Sequence, residues 1–132
     1  MRPAWLAVPV LVVLCNPLSA QEAAGKPVPR VVQLDATADG YTRVLGGPPE
    51  TVTMRSGQVV LAPGATVGEH STEVYEEVVI VLSGSGEMRI AGGATFLLTP
   101  GSVAYCPPQT THDVVNTGAD PLRYLYVVAR TP

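Results

Sequence analysis

The sequence is poor in several residue types on which other protein classes depend. Its 132 residues include two histidines, two cysteines, one tryptophan and one phenylalanine, and only 14% of them are charged. It has no cluster of lysine and arginine, which a surface for nucleic acid or anionic lipid requires. It also has no stretch of ten residues with helical periodicity, which argues against a helical fold. We therefore expect the partners to be small molecules, metal ions or a second copy of the chain, and not nucleic acid.

The first 20 residues have the composition of a secretory signal peptide. Arg2 provides a short basic start, an apolar run covers about residues 4–14, and small residues suited to a cleavage site stand at 19–20. The run is well short of the roughly 20 apolar residues that a membrane span needs. Residues 1–20 are therefore predicted to be removed, which would leave a periplasmic or secreted protein that is not held in a membrane. Cys15 leaves lipidation open as an alternative.

Cleavage would leave a weakly acidic chain with a single cysteine. Without Arg2 there are seven basic and eleven acidic side chains, which gives a net charge of −4. Only Cys106 would remain, so no intramolecular disulfide can form even in a compartment that permits one. Stability must therefore come from packing, and we expect Cys106 to be a buried structural residue.

The pattern of the chain from residue 50 onward predicts an all-β domain. Short runs rich in valine, leucine, threonine and tyrosine are separated by glycine and proline at intervals of about ten residues, which is typical of a sandwich or small barrel. Residues 21–49 are predicted to be an N-terminal linker with short strands at 28–34 and 41–45, and residues 50–130 to form the barrel. The strands predicted in the barrel are 56–61, 66–70, 77–83, 87–90, 94–98, 102–106, 112–116 and 122–129.

The strand predicted at 77–83 places a carboxylate in an apolar setting. Glu77 precedes five apolar residues, and alternation gives the strand two apolar faces. One face would lie inside the barrel, while the other needs the N-terminal segment or a partner subunit, which predicts a homodimer. Burying a carboxylate costs several kcal/mol unless a cation, a metal or hydrogen bonds compensate it. Glu77 therefore needs a partner elsewhere in the chain.

The two histidines lie in stretches that resemble the paired motifs of the cupin superfamily. The first family motif runs glycine, five residues, histidine, one residue, histidine, three or four residues, glutamate, six residues, glycine. The second runs glycine, five residues, proline, one residue, glycine, two residues, histidine, three residues, asparagine. Thr72 stands where the second histidine of the first motif belongs, and Gln109 stands at the glycine of the second. The positions that match are Gly64, His70, Glu77, Gly84, Gly101, Pro107, His112 and Asn116.

The resemblance implies a small jelly-roll β-barrel with a metal site inside it. Cupins that bind a metal usually use three histidines and one glutamate, and this chain offers His70, Glu77 and His112, with the histidines expected to face each other across the barrel. Two histidines and one carboxylate are also the ligand set of open-site non-haem iron. The metal would be a divalent ion of Fe, Mn, Ni or Zn. The candidates for supporting groups or a substitute ligand are Thr72, Glu73 and Tyr75.

Two interpretations of the function are open at this point. The resemblance implies a metal-dependent enzyme for a small oxygenated substrate, and dioxygenase, isomerase and lyase chemistry all occur on this fold. The alternative is a binding module for a metal or a small ligand without catalysis. In a metal-free protein, the two histidines would form a polar patch with Glu77 and Thr72. Because the fold hosts all of these, the sequence leaves open whether the protein is an enzyme.

Overall fold

The computed structural model describes residues 25–132, so the predicted signal peptide at 1–20 lies outside the described residues. Within this range the chain forms nine β-strands and no helix. Residues 25–132 therefore contain no helix of the length and apolarity that crossing a membrane requires. The strands are β1 (Gly40–Leu45), β2 (Met54–Leu61), β3 (His70–Ser71), β4 (Tyr75–Ser83), β5 (Gly86–Ile90), β6 (Thr95–Leu98), β7 (Val103–Cys106), β8 (Thr111–Val115) and β9 (Leu122–Arg130).

The strands form two antiparallel sheets that face each other. The first sheet has the order β1-β2-β9-β4-β7, and the second has the order β3-β8-β5-β6. The last strand, β9, lies at the centre of the first sheet between β2 and β4. This sheet therefore forms only when the C-terminal strand pairs with strands from the first half of the domain. The domain is an all-β jelly roll, and the predicted fold class is confirmed.

The core between the sheets follows from alternation along the strands. In the middle of β4, Glu77, Val79 and Val81 are buried, and the residues between them are more exposed. Burying each large apolar side chain contributes about 1.5–3 kcal/mol, which offsets the entropy of ordering the chain. The core residues are Val59, Leu61, Val79, Val81, Met88, Leu98, Cys106, Val114, Leu122 and Tyr124. Cys106 is fully buried, as expected.

The N-terminal segment does not form the strand predicted at 28–34. Residues 28–34 are exposed irregular chain, and the segment is held to the first sheet at residues 35–38 by side chains that reach its carbonyl groups. Gln58 Nε2 donates to a carbonyl 2.9 Å away, and Arg123 donates to three carbonyls within residues 35–38. The prediction was wrong because Pro29 removes a backbone donor, and apolar composition alone does not provide a partner strand.

The strand predicted at 66–70 is also interrupted. Thr66 forms an isolated bridge with Val115, and regular pairing resumes only at β3. Gly68 lies between them with φ of +88°, a left-handed conformation that a continuous strand excludes. The interruption turns the chain so that His70 enters the second sheet.

Gly64 and Gly84 both adopt left-handed conformations, but their surroundings differ. Gly84 joins β4 to β5 with φ of +79°, and a Cβ atom there would lie 2.3 Å from the carbonyl oxygen of Pro121. Gly64 has a φ of +80° and no atom within 4 Å of the same position. Gly84 is thus required by both conformation and space, and Gly64 by conformation alone.

Part of the outer surface of the first sheet is apolar and uncovered. We define the β4–β7 outer face as Val78, Ile80, Leu82, Val103 and Tyr105. The last three side chains are 41–68% exposed, and the first two are half-buried. The predicted second apolar face of β4 is therefore present. The N-terminal segment was one of the two groups expected to cover it, but the described contacts of residues 35–38 are with β2 and β9.

Candidate metal centre

Strand pairing places the two histidines beside each other on one sheet. His70 of β3 is the register partner of His112 of β8. Partners in an antiparallel pair project to the same side, and the two ring centroids are 4.5 Å apart with the planes tilted by 54°. The expectation that the histidines face each other across the barrel was wrong because β3 and β8 are hydrogen-bonded neighbours. The group that faces them from the other sheet is Glu77.

Glu77 completes the cluster and finds the partner that its burial requires. Its side chain is largely buried, and one carboxylate oxygen, Oε2, lies 3.2 Å from His112 Nε2. One nitrogen from each of His70 and His112 and one oxygen from Glu77 all lie within 4.8 Å of one another. The three predicted ligand residues are therefore brought together in the structure.

Backbone carbonyl groups determine which ring nitrogen of each histidine carries the proton. His70 Nδ1 lies 2.9 Å from the carbonyl oxygen of Gly68, and His112 Nδ1 lies 3.3 Å from that of Thr110. A carbonyl only accepts, so Nδ1 carries the proton and donates it in both rings. In the neutral rings, Nε2 then has a free lone pair. A carbonyl behind each imidazole is the arrangement that supports histidine ligands in metal sites.

His112 Nε2 is a buried polar atom without a hydrogen bond to any described residue. Its contact with Glu77 is close but not aligned as a hydrogen bond. An unsatisfied buried group of this kind costs about 1–3 kcal/mol. A cation held between this nitrogen, the Glu77 carboxylate and His70 would satisfy it, so the residues present fit a divalent metal ion.

A proton competes with a metal for His112. Contacts with the Cys106 thiol, and then with the Glu77 carboxylate, raise the pKa of His112 from its usual 6.5 to about 10, although burial acts in the opposite direction. Since Nδ1 already donates to Thr110, the proton that titrates is the one on Nε2. At neutral pH this proton must leave before Nε2 can bind a metal.

Thr72 supports the loop that leads to His112. Its side chain is buried, and its hydroxyl donates to the carbonyl of Pro107 at 2.8 Å and accepts from the N–H of Thr110 at 2.9 Å. Both hydrogen-bonding roles of the hydroxyl are thus used within residues 107–110. The residue at the position of the missing histidine therefore orients the second motif through its hydroxyl.

Replacing Thr72 by valine is expected to destabilise the protein by about 1–3 kcal/mol, because it removes two part-buried hydrogen bonds that each contribute about 0.5–1.5 kcal/mol. Serine at this position keeps both hydrogen bonds and should cost less. Urea denaturation of the metal-free proteins measures both changes. A valine variant as stable as the wild-type protein would contradict the supporting role.

The other two candidates lie in different places. Glu73 is exposed, has a φ of +50°, and its carboxylate is not among the atoms that come together at the cluster. Tyr75 is half-buried and lines a cavity next to Glu77. The Cζ atom of Arg55 lies 5.6 Å from the centre of the Tyr75 ring, a distance suited to a cation–π contact.

A cavity of about 380 Å³ opens beside the cluster between the two sheets. Its wall includes both histidines, Glu77 and Arg55, and four tyrosines, which are Tyr41, Tyr75, Tyr124 and Tyr126. The volume is in the range of small-molecule sites. Burial raises the pKa of both Tyr124 and Tyr126, so their hydroxyls are neutral donors near pH 7. Tyr41 and Arg55 were not predicted to lie at the site, although alternation along β2 places Arg55 on the same face as Val59.

The fold and the cluster define a jelly-roll barrel with two histidines and one carboxylate beside an internal cavity. Residues 57–128, more than half of the chain, match the family described as the cupin domain. The chain belongs to the cupin family, and the predicted resemblance is confirmed. A search of curated proteins found no significant match.

Solved structures of other cupins have the same fold. The Cnp3 cupin domain of Schizosaccharomyces pombe is 19% identical, with 69% of this chain and 60% of that chain covered and a TM-score of 0.62. A Cupin 2 conserved barrel domain protein of Salinispora arenicola is 24% identical, with 79% and 91% covered and a TM-score of 0.65. A cupin sugar phosphate isomerase of Silicibacter pomeroyi is 26% identical, with 70% and 61% covered and a TM-score of 0.56. The chain thus spans about three fifths of the Cnp3 and isomerase chains.

Proposed function

We propose that the protein binds one divalent metal ion through His70, Glu77 and His112 and uses the adjacent cavity for a small oxygenated ligand. The observation that carries the proposal is the buried Nε2 of His112, which makes no hydrogen bond to a described residue and lies 3.2 Å from a buried carboxylate. Two imidazoles and one carboxylate suit Fe, Mn, Ni or Zn as the ion. Three protein ligands also leave positions that water or the ligand would fill.

A metal-dependent reaction on a small oxygenated substrate is the enzymatic form of this proposal. When bound, the ion would supply Lewis acidity or oxygen activation. The residues of the chain would hold the ligand and exclude water, with the tyrosines against its apolar part. Dioxygenase, isomerase and lyase reactions are the classes proposed, and one structural neighbour is named as a sugar phosphate isomerase.

A non-catalytic binding module is the second candidate. The exposure of His70 favours it, because one side of the cluster is open to solvent and water would reach the ion. Turnover of a substrate by the metal-loaded protein would decide for the enzyme. Binding of the same compound without turnover would decide for the module.

Zinc titration at two pH values tests the proposed site. We expect one Zn²⁺ per chain, bound more tightly at pH 8.5 than at pH 6.5. The raised pKa of His112 means that binding displaces a proton over this range, so the affinity should rise up to about tenfold for each pH unit. Competition with a chelator of known affinity measures the constants. A stoichiometry well below one at both pH values would contradict the proposal.

We also propose that the mature protein is periplasmic or secreted, on the basis of the signal-like composition of residues 1–20. The intact mass of the protein recovered from the periplasm or the medium tests this. A mass that includes residues 1–20 would contradict it.

A homodimer is proposed on the basis of the β4–β7 outer face, since a second copy would cover its exposed apolar side chains. Replacing Val103, which is 68% exposed, by glutamate should shift the protein from dimer to monomer without unfolding it. Val31 is 84% exposed in the N-terminal segment, and glutamate there is the matched control that should leave the dimer intact. Sedimentation velocity measures the result, and a monomeric wild-type protein at micromolar concentration would rule out the dimer.

A further inference from the structure

Arg55 is a cation at the cavity with no partner among the described residues. Its guanidinium makes no hydrogen bond and no ion pair within residues 25–132, whereas Arg30, Arg89 and Arg123 pair with acids or carbonyls. It is also the only lysine or arginine of the described chain that lines the cavity. A guanidinium has five donors arranged to match a carboxylate, and all of them remain available here.

Packing holds the Arg55 side chain in place without using these donors. Its aliphatic part lies over Gly47, where a Cβ atom would come within 2.9 Å of Cγ and Nε of the arginine. Gly47 is buried and has a φ of +86°, so the turn before β2 fits against this side chain. On the other side, the Tyr75 ring faces the guanidinium. The position of the charge is therefore set before any ligand binds, which lowers the entropic cost of binding.

Arg55 and Glu77 lie on one row of the first sheet. Val128 of β9 is the register partner of Arg55 on β2 and also of Glu77 on β4. The three side chains therefore project to the same side, with one strand between the arginine and the glutamate. Two strand spacings separate their Cα atoms by about 10 Å. One ligand can thus contact the cluster at one end and Arg55 at the other.

The charge of the cavity favours an anion. Glu77 is the only acidic residue of the described chain in the wall, and it is paired with His112. Arg55 forms no ion pair with this carboxylate or with any other acid of the described chain, so its positive charge at the cavity wall is uncompensated. The rest of the wall is chiefly tyrosine and valine, which suits a flat apolar body. A phosphate monoester carries about 1.5–2 negative charges at pH 7, which one arginine does not balance, so a singly charged carboxylate is the better match.

We propose that Arg55 binds the carboxylate of a small organic acid whose flat apolar body lies against the tyrosines of the cavity. This inference rests on the proposed function in one respect, because it takes the cavity beside the cluster as the ligand site. It adds the chemical class of the ligand and the residue that selects it.

Calorimetric titration with benzoate and benzamide tests this inference. The two probes have nearly the same shape and differ in charge. We expect the wild-type protein to bind benzoate at least about tenfold more tightly than benzamide, since a charge-assisted bidentate pair contributes more than a neutral hydrogen bond. Arg55→Gln should remove this preference by weakening benzoate binding alone. Arg55→Lys keeps the charge without the fork and should give an intermediate affinity for benzoate.

Arg43→Gln is the matched control, because Arg43 is an exposed arginine on the neighbouring strand β1 that does not line the cavity. It should bind both probes as the wild-type protein does. Thermal melting of each variant checks that it is folded, which is expected because Arg55 is exposed.

The titrations are repeated on metal-free and Zn²⁺-loaded protein to separate this inference from the proposed metal site. Equal affinities for benzoate and benzamide in the wild-type protein, or no binding of either, would overturn the inference even if Zn²⁺ binds with full stoichiometry. If the protein retains no metal but binds benzoate in a manner that depends on Arg55, the inference is supported and only the proposed metal site is contradicted. Benzoate binding that Arg55→Gln leaves unchanged would overturn it.

Discussion

Alanine in place of His112 is expected to lower the affinity of the protein for a divalent metal by at least about 100-fold. Removing a residue that only hydrogen-bonds to a metal ligand typically lowers metal affinity by about 10–100-fold. His112 would be a ligand itself, so its loss should cost at least as much. Its Nε2 is the buried atom that a metal would satisfy, and its Nδ1 is oriented by the Thr110 carbonyl. Elemental analysis of untagged protein, together with competition against a chelator, measures the change. His70→Ala and Glu77→Gln should also lose metal.

Two controls make this result interpretable. Glu73→Gln removes an acid that is near the cluster in sequence but exposed, so it should keep the full metal content. His112→Gln keeps a polar side chain in a fully buried place and separates loss of the ligand from loss of packing. Equal metal content in the wild-type protein and in the His70, Glu77 and His112 variants would show that the ion binds elsewhere.

Alanine in place of Gly84 is expected to destabilise the domain by about 3 kcal/mol or more. A left-handed conformation costs a residue with a Cβ about 1–2 kcal/mol, and forcing an atom into a filled space costs about 1–3 kcal/mol more. At Gly84 both apply, because the added carbon would lie 2.3 Å from the Pro121 carbonyl oxygen, and backbone cannot rotate away as a side chain can. Urea denaturation monitored by circular dichroism measures the loss.

Gly64→Ala is the matched control for Gly84→Ala. Its φ of +80° is nearly the same, but a Cβ atom there meets nothing within 4 Å. Only the conformational cost of about 1–2 kcal/mol should appear. If the two variants lose the same stability, the close approach of the Pro121 segment to the β4–β5 turn does not contribute to the requirement for glycine.

The motif spacing was enough to predict the fold and the three residues of the cluster. Glycines at strand ends and histidines at strand starts are local features, and alternation along 77–83 predicted that Glu77 would be buried among apolar residues. The need of a buried carboxylate for a partner led to His112, which the structure places 3.2 Å away. These inferences succeed because each depends on a few neighbouring residues or on one strong physical cost.

The remaining features depend on pairing between distant segments. The row of Arg55, Val128 and Glu77 requires β9 to lie between β2 and β4, and no local pattern specifies that order. The two histidines are neighbours on one sheet for the same reason. Similarly, apolar composition at 28–34 predicted a strand, but a strand also needs an edge with which to pair.

Thr110 connects the two motifs through its own peptide groups. Its N–H donates to the Thr72 hydroxyl, and its carbonyl accepts from His112 Nδ1. Thr72, at the position where the family usually has a histidine, thus helps to orient the imidazole of His112. Three protein donors instead of four would leave a six-coordinate ion with three further positions, so a ligand that chelates it through two atoms would still leave one position for water. Compared with a site of four protein donors, the proposed site would bind its ion less tightly and would leave more room for a second compound to coordinate.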